Sequence, residues 1–180
     1  MTPIAWLMAS WLAWGFPFVF LAPHGQKRPS VTAAGKTRAG LLLECAAIFI
    51  AWAFRTAQPG IGRTAASMLL GPVAAALGWT AVRHLGKQFR IHAGLYHDHE
   101  LVRTGPYALV RHPIYSSLLA ILLSTLLLWT PWPWVALSLA LFLAGTEIRV
   151  RTEDALLLSR FGEDFTAYRR RVPAYIPFIR

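Results

Sequence analysis

One cysteine, Cys45, occurs in 180 residues, so no intrachain disulfide can brace the fold. The crowded histidines His92, His97 and His99 lack the rigid frame that zinc requires, and no metal is expected. No Gly-rich strand-to-helix fingerprint is present, which excludes a soluble Rossmann-type fold. Acids are scarce, 8 Asp and Glu against 18 Lys and Arg, and charged residues of both signs reach only 14%. An ordinary soluble domain carries about a quarter. What fills the chain instead is apolar, 56% of residues, with a mean hydropathy of +0.45. A net charge of +10 on a polar protein would suggest nucleic acid. Here the cations fall between and beyond apolar runs and no recognised nucleic-acid module occurs, so that partner is not expected. The pattern is that of membrane topology.

Five apolar runs, about 4–22, 39–57, 64–82, 114–130 and 133–148, predict an all-α integral membrane protein. The reading is one domain with five transmembrane helices and a C-terminal amphipathic cytoplasmic helical segment. A hydrocarbon core about 30 Å thick wants about 20 helical residues, so the second, fourth and fifth runs must borrow from their flanks. The first run lacks a basic leader and a small-x-small cleavage site and reads as a retained span. Runs four and five read as a hairpin about Pro131-Trp132-Pro133. Lys27, Arg28, Lys36 and Arg38 mark the first loop; Arg83, Lys87, Arg90, Arg103 and Arg111 mark the third. The positive-inside rule then puts the carboxy terminus in the cytoplasm and the amino terminus outside, and an odd count of spans agrees. In the tail, Thr152 is the expected helix cap, with Glu153 and Asp154 in the first turn. Leu157, Phe161, Phe165, Tyr168 and Val172 then form an apolar stripe, which Gly162 is expected to divide.

The segment 104–115, TGPYALVRHPIY, sets Arg111 and His112 at the mouth of an apolar run. Ionisable groups are costly there, which makes them a functional-site hypothesis. Glu44, inside the second run, is a candidate substrate contact or a tie to a neighbouring helix. Glu147 is a candidate for chemistry or for pairing with Arg149 or Arg151. Arg111 could equally anchor to headgroups, and His112 could simply cap the fourth run.

From Leu85 onward the chain resembles the isoprenylcysteine carboxyl methyltransferase family, within the wider group that includes phospholipid N-methyltransferases. The resemblance rests on LGKQF at 85–89, HELVRTGPYALVRHPIY at 99–115, the Pro-Trp-Pro hairpin and TEDALLLSRFGEDFTAYRRRVPAYIP at 152–177. It implies S-adenosylmethionine held on the cytoplasmic side by a cofactor-binding part at 85–177, and a lipophilic or prenylated acceptor arriving from the bilayer. Carried onto this chain, the cofactor residues are His99, Leu101, Gly105, Tyr107, His112, Pro113, Tyr115, Glu153 and Asp154. Asp154 stands where the family more often has a second Glu, so Glu153 ranks above it. Both His112 and Glu153 are expected to face a wet pocket and to matter little for folding.

Methyl transfer is an in-line displacement in which positioning supplies much of the rate. A carboxylate acceptor is already ionised and needs no base; Arg111 or Arg151 can hold it bidentately. An amine or thiol would need a base, with His112 or Glu147 nearest in sequence. An NADPH-dependent membrane reductase of sterols or isoprenoids shares the RHPxY pattern and is the rival enzyme. A non-catalytic lipid-binding membrane protein is the other alternative.

Overall fold

A computed structural model describes residues 2–21, 30–32, 34–55, 58–89, 94–96 and 98–177. His92, His97, Arg90 and half of the first basic loop, including Lys27 and Arg28, lie outside them. The described residues form α1 (Pro3–Phe20), β1 (Ser30–Thr32), α2 (Ala34–Ala53), α3 (Ile61–Leu85), β2 (Gly94–Tyr96), α4 (Pro113–Trp129) and α5 (Trp132–Arg171), with 3₁₀ turns at Gly86–Gln88 and Gly105–Ala108. The expected fold class is all-α, and helices carry the structure. The one addition is a short antiparallel ribbon that pairs Val31 with Leu95.

The expectation of five transmembrane helices is not met. Among the described residues, three helices have the length and apolarity to cross a bilayer: Pro3–Phe20, Ile61–Gln88 and Trp132–Arg171. α4 is apolar but has 17 residues, about 25 Å at 1.5 Å per residue, against a hydrocarbon core of about 30 Å. α2 has 20 residues, but Lys36 and Arg38 occupy its first turns and Glu44 its middle. Hydropathy runs counted both as spans; the helices themselves are too short or too polar for that by composition. The tail differs as well. No new helix starts at Thr152, whose hydroxyl donates to the Ile148 carbonyl inside the continuous α5. Gly162 does divide α5, with φ 51° and ψ −120°, a backbone that L side chains adopt at a cost.

α3 packs on α1 and α4, and α2 packs on α5. The two groups join through a core of Ala47, Ala51, Leu122, Leu126, Val135 and Phe142, drawn from α2, α4 and α5. Polar side chains inside this packing are paired across helices, as an apolar surrounding demands. Ser67 and Ser124 each donate to the other's carbonyl at 2.7 Å, and Trp14 donates to Ser117 at 3.0 Å. Arg63, at the start of α3, donates to the carbonyls of Leu126, Leu127 and Thr130 at 3.0, 3.0 and 2.6 Å. That closes the C-terminal end of α4, where backbone acceptors would otherwise lack partners. Gly40 and Gly145 bring α2 and α5 into backbone contact: a Cβ on Gly145 would lie 2.5 Å from the Gly40 oxygen.

Candidate functional site

α4 starts at Pro113, whose fixed φ suits the first helical position and whose missing N–H is not needed there. His112 precedes it in non-helical geometry, but its ring does not cap the helix. Instead Nε2 meets Asp154 Oδ1 at 2.9 Å and Nδ1 meets Glu153 Oε2 at 3.2 Å. Arg111 completes the cluster by donating to Asp154 Oδ2 at 2.9 Å, and the Tyr115 hydroxyl donates to Glu153. Both acids sit on α5, so one turn of that helix holds three residues of segment 111–115.

The chain after Gly162 straps the cluster in place. Arg111 and His112 donate their backbone N–H groups to the carbonyls of Pro173 and Ala174, each at 2.8 Å. The Arg111 side chain also donates to the carbonyls of Arg169 and Val172, and Tyr168 donates to the Tyr107 carbonyl.

Burial alone would push the His112 imidazole toward neutrality. The hydrogen bonds and negative charge of Asp154 and Glu153 outweigh it, and the group is pushed up to about 9. At neutral pH His112 is an imidazolium donating from both nitrogens, not a base. Burial, then the Glu153 charge and Tyr168, pushes the Tyr107 hydroxyl up, so it stays neutral.

A cavity of about 340 Å³ lies against this cluster, within the range of small-ligand sites. Its wall has two characters. His99, Glu100, Tyr107, Arg111, His112, Glu153 and Arg149 are polar; Trp14, Phe18, Leu85, Phe89, Ile114 and Leu118 are not. Of the residues expected at the cofactor, His99, Leu101, Tyr107, His112, Tyr115 and Glu153 line the cavity, as does Arg111. Asp154 stands behind His112 and Arg111 and fixes both. Gly105, with φ 59°, lies beneath the His84 ring at the end of α3, where a Cβ would come within 2.3 Å of Nε2. Pro113 is buried and starts α4 without lining the cavity.

Three expected chemical residues stand elsewhere. Arg151 is exposed and pairs with Glu147 at 2.7 Å, one turn apart on α5, and neither lines the cavity. Glu44 is fully buried and bonds Thr146 at 2.9 Å and Arg149 at 2.8 Å; it stands one residue behind the cavity wall. Arg149 itself was expected only as a pairing partner, because charges at the end of an apolar run read as topology. The aromatic wall from α1, Trp14 and Phe18, carried no sequence signal beyond its apolarity.

The model of the isoprenylcysteine carboxyl methyltransferase (ICMT) family matches residues 67–159, just over half the chain and the stretch that builds most of this wall. Among similar proteins is the protein-S-isoprenylcysteine O-methyltransferase of Schizosaccharomyces pombe, 41% identical over 83 residues, 46% of this chain and 35% of that protein. A probable protein-S-isoprenylcysteine O-methyltransferase of Oryza sativa subsp. indica is 35% identical over 102 residues, 56% of this chain and 51% of that protein. The cobalt-zinc-cadmium resistance protein CzcN of Cupriavidus metallidurans is 41% identical over 81 residues, 44% of this chain and 37% of that protein. The chain thus spans between a third and about half of the length of these relatives.

Proposed function

We propose that this chain, which belongs to the isoprenylcysteine carboxyl methyltransferase family, transfers a methyl group from S-adenosylmethionine to the carboxylate of a prenyl-type lipid. The observation that carries the reading is the divided cavity, ionic on one wall and apolar on the other. A prenyl or similar chain belongs against Trp14, Phe18, Ile114 and Leu118, the apolar wall of the cavity.

The polar wall fits the methyl donor by its charge inventory. A zwitterionic amino-acid end needs an anion and a cation within one site, and Glu153, Arg111 and His112 supply both. When bound, S-adenosylmethionine supplies an electrophilic methyl group on a sulfonium. His112, fixed by Asp154 and Glu153, presents a preorganised positive charge, and Tyr107 and Tyr115 give neutral aromatic walls. Preorganised groups of this kind act without reorganising during reaction.

The acceptor class follows from proton accounting. His112 is already protonated, and Glu153 already accepts from Tyr115 and His112. Neither is placed to take a proton from an amine or thiol. A carboxylate needs no base, since it reaches the site ionised. The experiment is methyl transfer from labelled S-adenosylmethionine by the detergent-purified full chain to an S-prenylated cysteine. Base-labile label released as methanol is the expected product. Base-stable label would identify an amine or thiol acceptor, and the absence of transfer to any membrane lipid extract would overturn the enzyme reading.

A further inference from the structure

The apolar part of the cavity has an end. Along α4 its wall is Ile114, Tyr115 and Leu118, and the next turn, with Ile121 and Leu122, is fully buried in helix packing. Along α1 the wall is Phe18 and Trp14; Trp11, one turn further in, takes no part in it. Trp14 therefore stands across the deep end, and its ring is fixed on three sides. Nε1 donates to Ser117 Oγ at 3.0 Å, and that hydroxyl donates in turn to the Ile114 carbonyl at 2.7 Å. Gly78 of α3 backs the ring so closely that a Cβ there would lie 3.2 Å from Cδ1. Trp11 meets it edge-on, with 5.5 Å between ring centres and 79° between planes, and is itself tied to Thr125 at 3.0 Å. What is left of the Trp14 ring lines the cavity.

Resting on the methyltransferase reading above, we infer that Trp14 is a specificity-determining residue for the acceptor, the stop against which its isoprenoid tail ends. From His112, at the ionic cluster, to Leu118, α4 rises about 9 Å at 1.5 Å per residue, the extended length of about two isoprene units. A tail gains from burial only where there is cavity to receive it, so carbons beyond that length must turn out again. An indole suits a stop because it is large and rigid, and its N–H, satisfied by Ser117, keeps it from swinging aside. A tie between α1 and α4 alone does not require the ring to reach the cavity: Trp11 and Thr125 make the same tie without doing so. Trp14 lies outside the matched stretch 67–159, so tail length is set by a part of the chain that the family match does not reach.

The test is calorimetric binding of geranyl and farnesyl thioether carboxylic acids to the full chain in one detergent. The head is common to both ligands, so the ratio of affinities reads the tail alone, whether or not methyl is transferred. The wild-type protein is expected to hold farnesyl no more tightly than geranyl. Trp14→Ala opens the deep end and is expected to raise the farnesyl-to-geranyl ratio by about ten-fold or more, since a further prenyl unit can then be buried. Comparing two proteins in the same detergent cancels partition of the ligands into micelles. S-adenosylhomocysteine binding close to that of the wild type shows that the variant is folded. Where Trp14→Ala fails that control, Trp14→Phe decides: its ring is smaller and has no tie to Ser117, and the ratio is expected to rise several-fold. A ratio in the folded variant equal to that of the wild type, or a wild type that prefers farnesyl, overturns the inference and leaves Trp14 a tie between helices. Failure of methyl transfer itself would show separately, in the labelled-product assay, while the tail ratio still decides this point.

Discussion

His112 illustrates how a residue picked by motif acquires its physical role only from its neighbours. The sequence put it at a wet pocket with little part in folding; it is in fact 6% exposed and held by two carboxylates. Its folded pKa, about 9, lies above the unfolded value near 6.5. The stabilisation it gives is therefore complete below about pH 6.5 and is lost as pH rises through about 9. The gap in melting temperature between wild type and His112→Gln should be widest near pH 6 and shrink toward pH 10. Parallel melting curves across that range would mean that the imidazole does not carry its charge in the fold. At constant pH, Glu153→Ala should weaken S-adenosylhomocysteine binding roughly ten- to a hundred-fold, the loss of one charge-assisted contact of about 1.5–3 kcal/mol. Asp154 was ranked lower for its short arm. That arm reaches both His112 and Arg111 at 2.9 Å, because α5 passes close behind them, a distance no single sequence discloses.

At the scale of elements, the helices were legible and their ends were not. The apolar run at 133–148 stops at Glu147, Arg149 and Arg151, which read as the membrane boundary. α5 continues through them because Arg149 and Glu153 face a polar cavity and Asp154 faces Arg111 and His112. Hydropathy averages along the chain and cannot see a polar face buried against another segment. The Gly40–Gly145 contact was also hidden, since either glycine alone reads as a weak helix former. It yields a prediction at this scale. Gly145→Ala sets a Cβ 2.5 Å from the Gly40 oxygen and 3.0 Å from the Leu43 Cβ, so α2 and α5 must part. Overpacking of that kind costs about 1–3 kcal/mol. Gly15→Ala in α1, with nothing within 4 Å of the added carbon, is the control and should be neutral or slightly stabilising. Equal melting temperatures for the two variants would count against the contact.

For the whole molecule, composition alone gave the class, a multi-pass integral membrane protein, because apolar length and scarce charge leave few other solutions. The count of five crossings failed where helix length and internal charge, rather than window hydropathy, decide. Orientation does not depend on that count, since α5 by itself distinguishes the two faces. Its first residues adjoin the uncharged Pro131-Trp132-Pro133 turn, where Trp132 is exposed and packs under Arg63 at 4.8 Å. Its far part carries Arg160, Arg169, Arg170 and Arg171, beside a segment that holds Arg103 and the cavity. The cation excess on that side is expected to face the cytoplasm, and the cavity with it. The check uses Cys45→Ser as background, because the native thiol is exposed. Single cysteines at Trp132 and at Arg160, in sealed inside-out vesicles, should react oppositely with an impermeant maleimide: Arg160→Cys labels at once, Trp132→Cys only after detergent. The reverse order would place the cavity on the outer face, where intracellular S-adenosylmethionine has no access; the methyl donor would then be the first part of the proposed reaction to abandon.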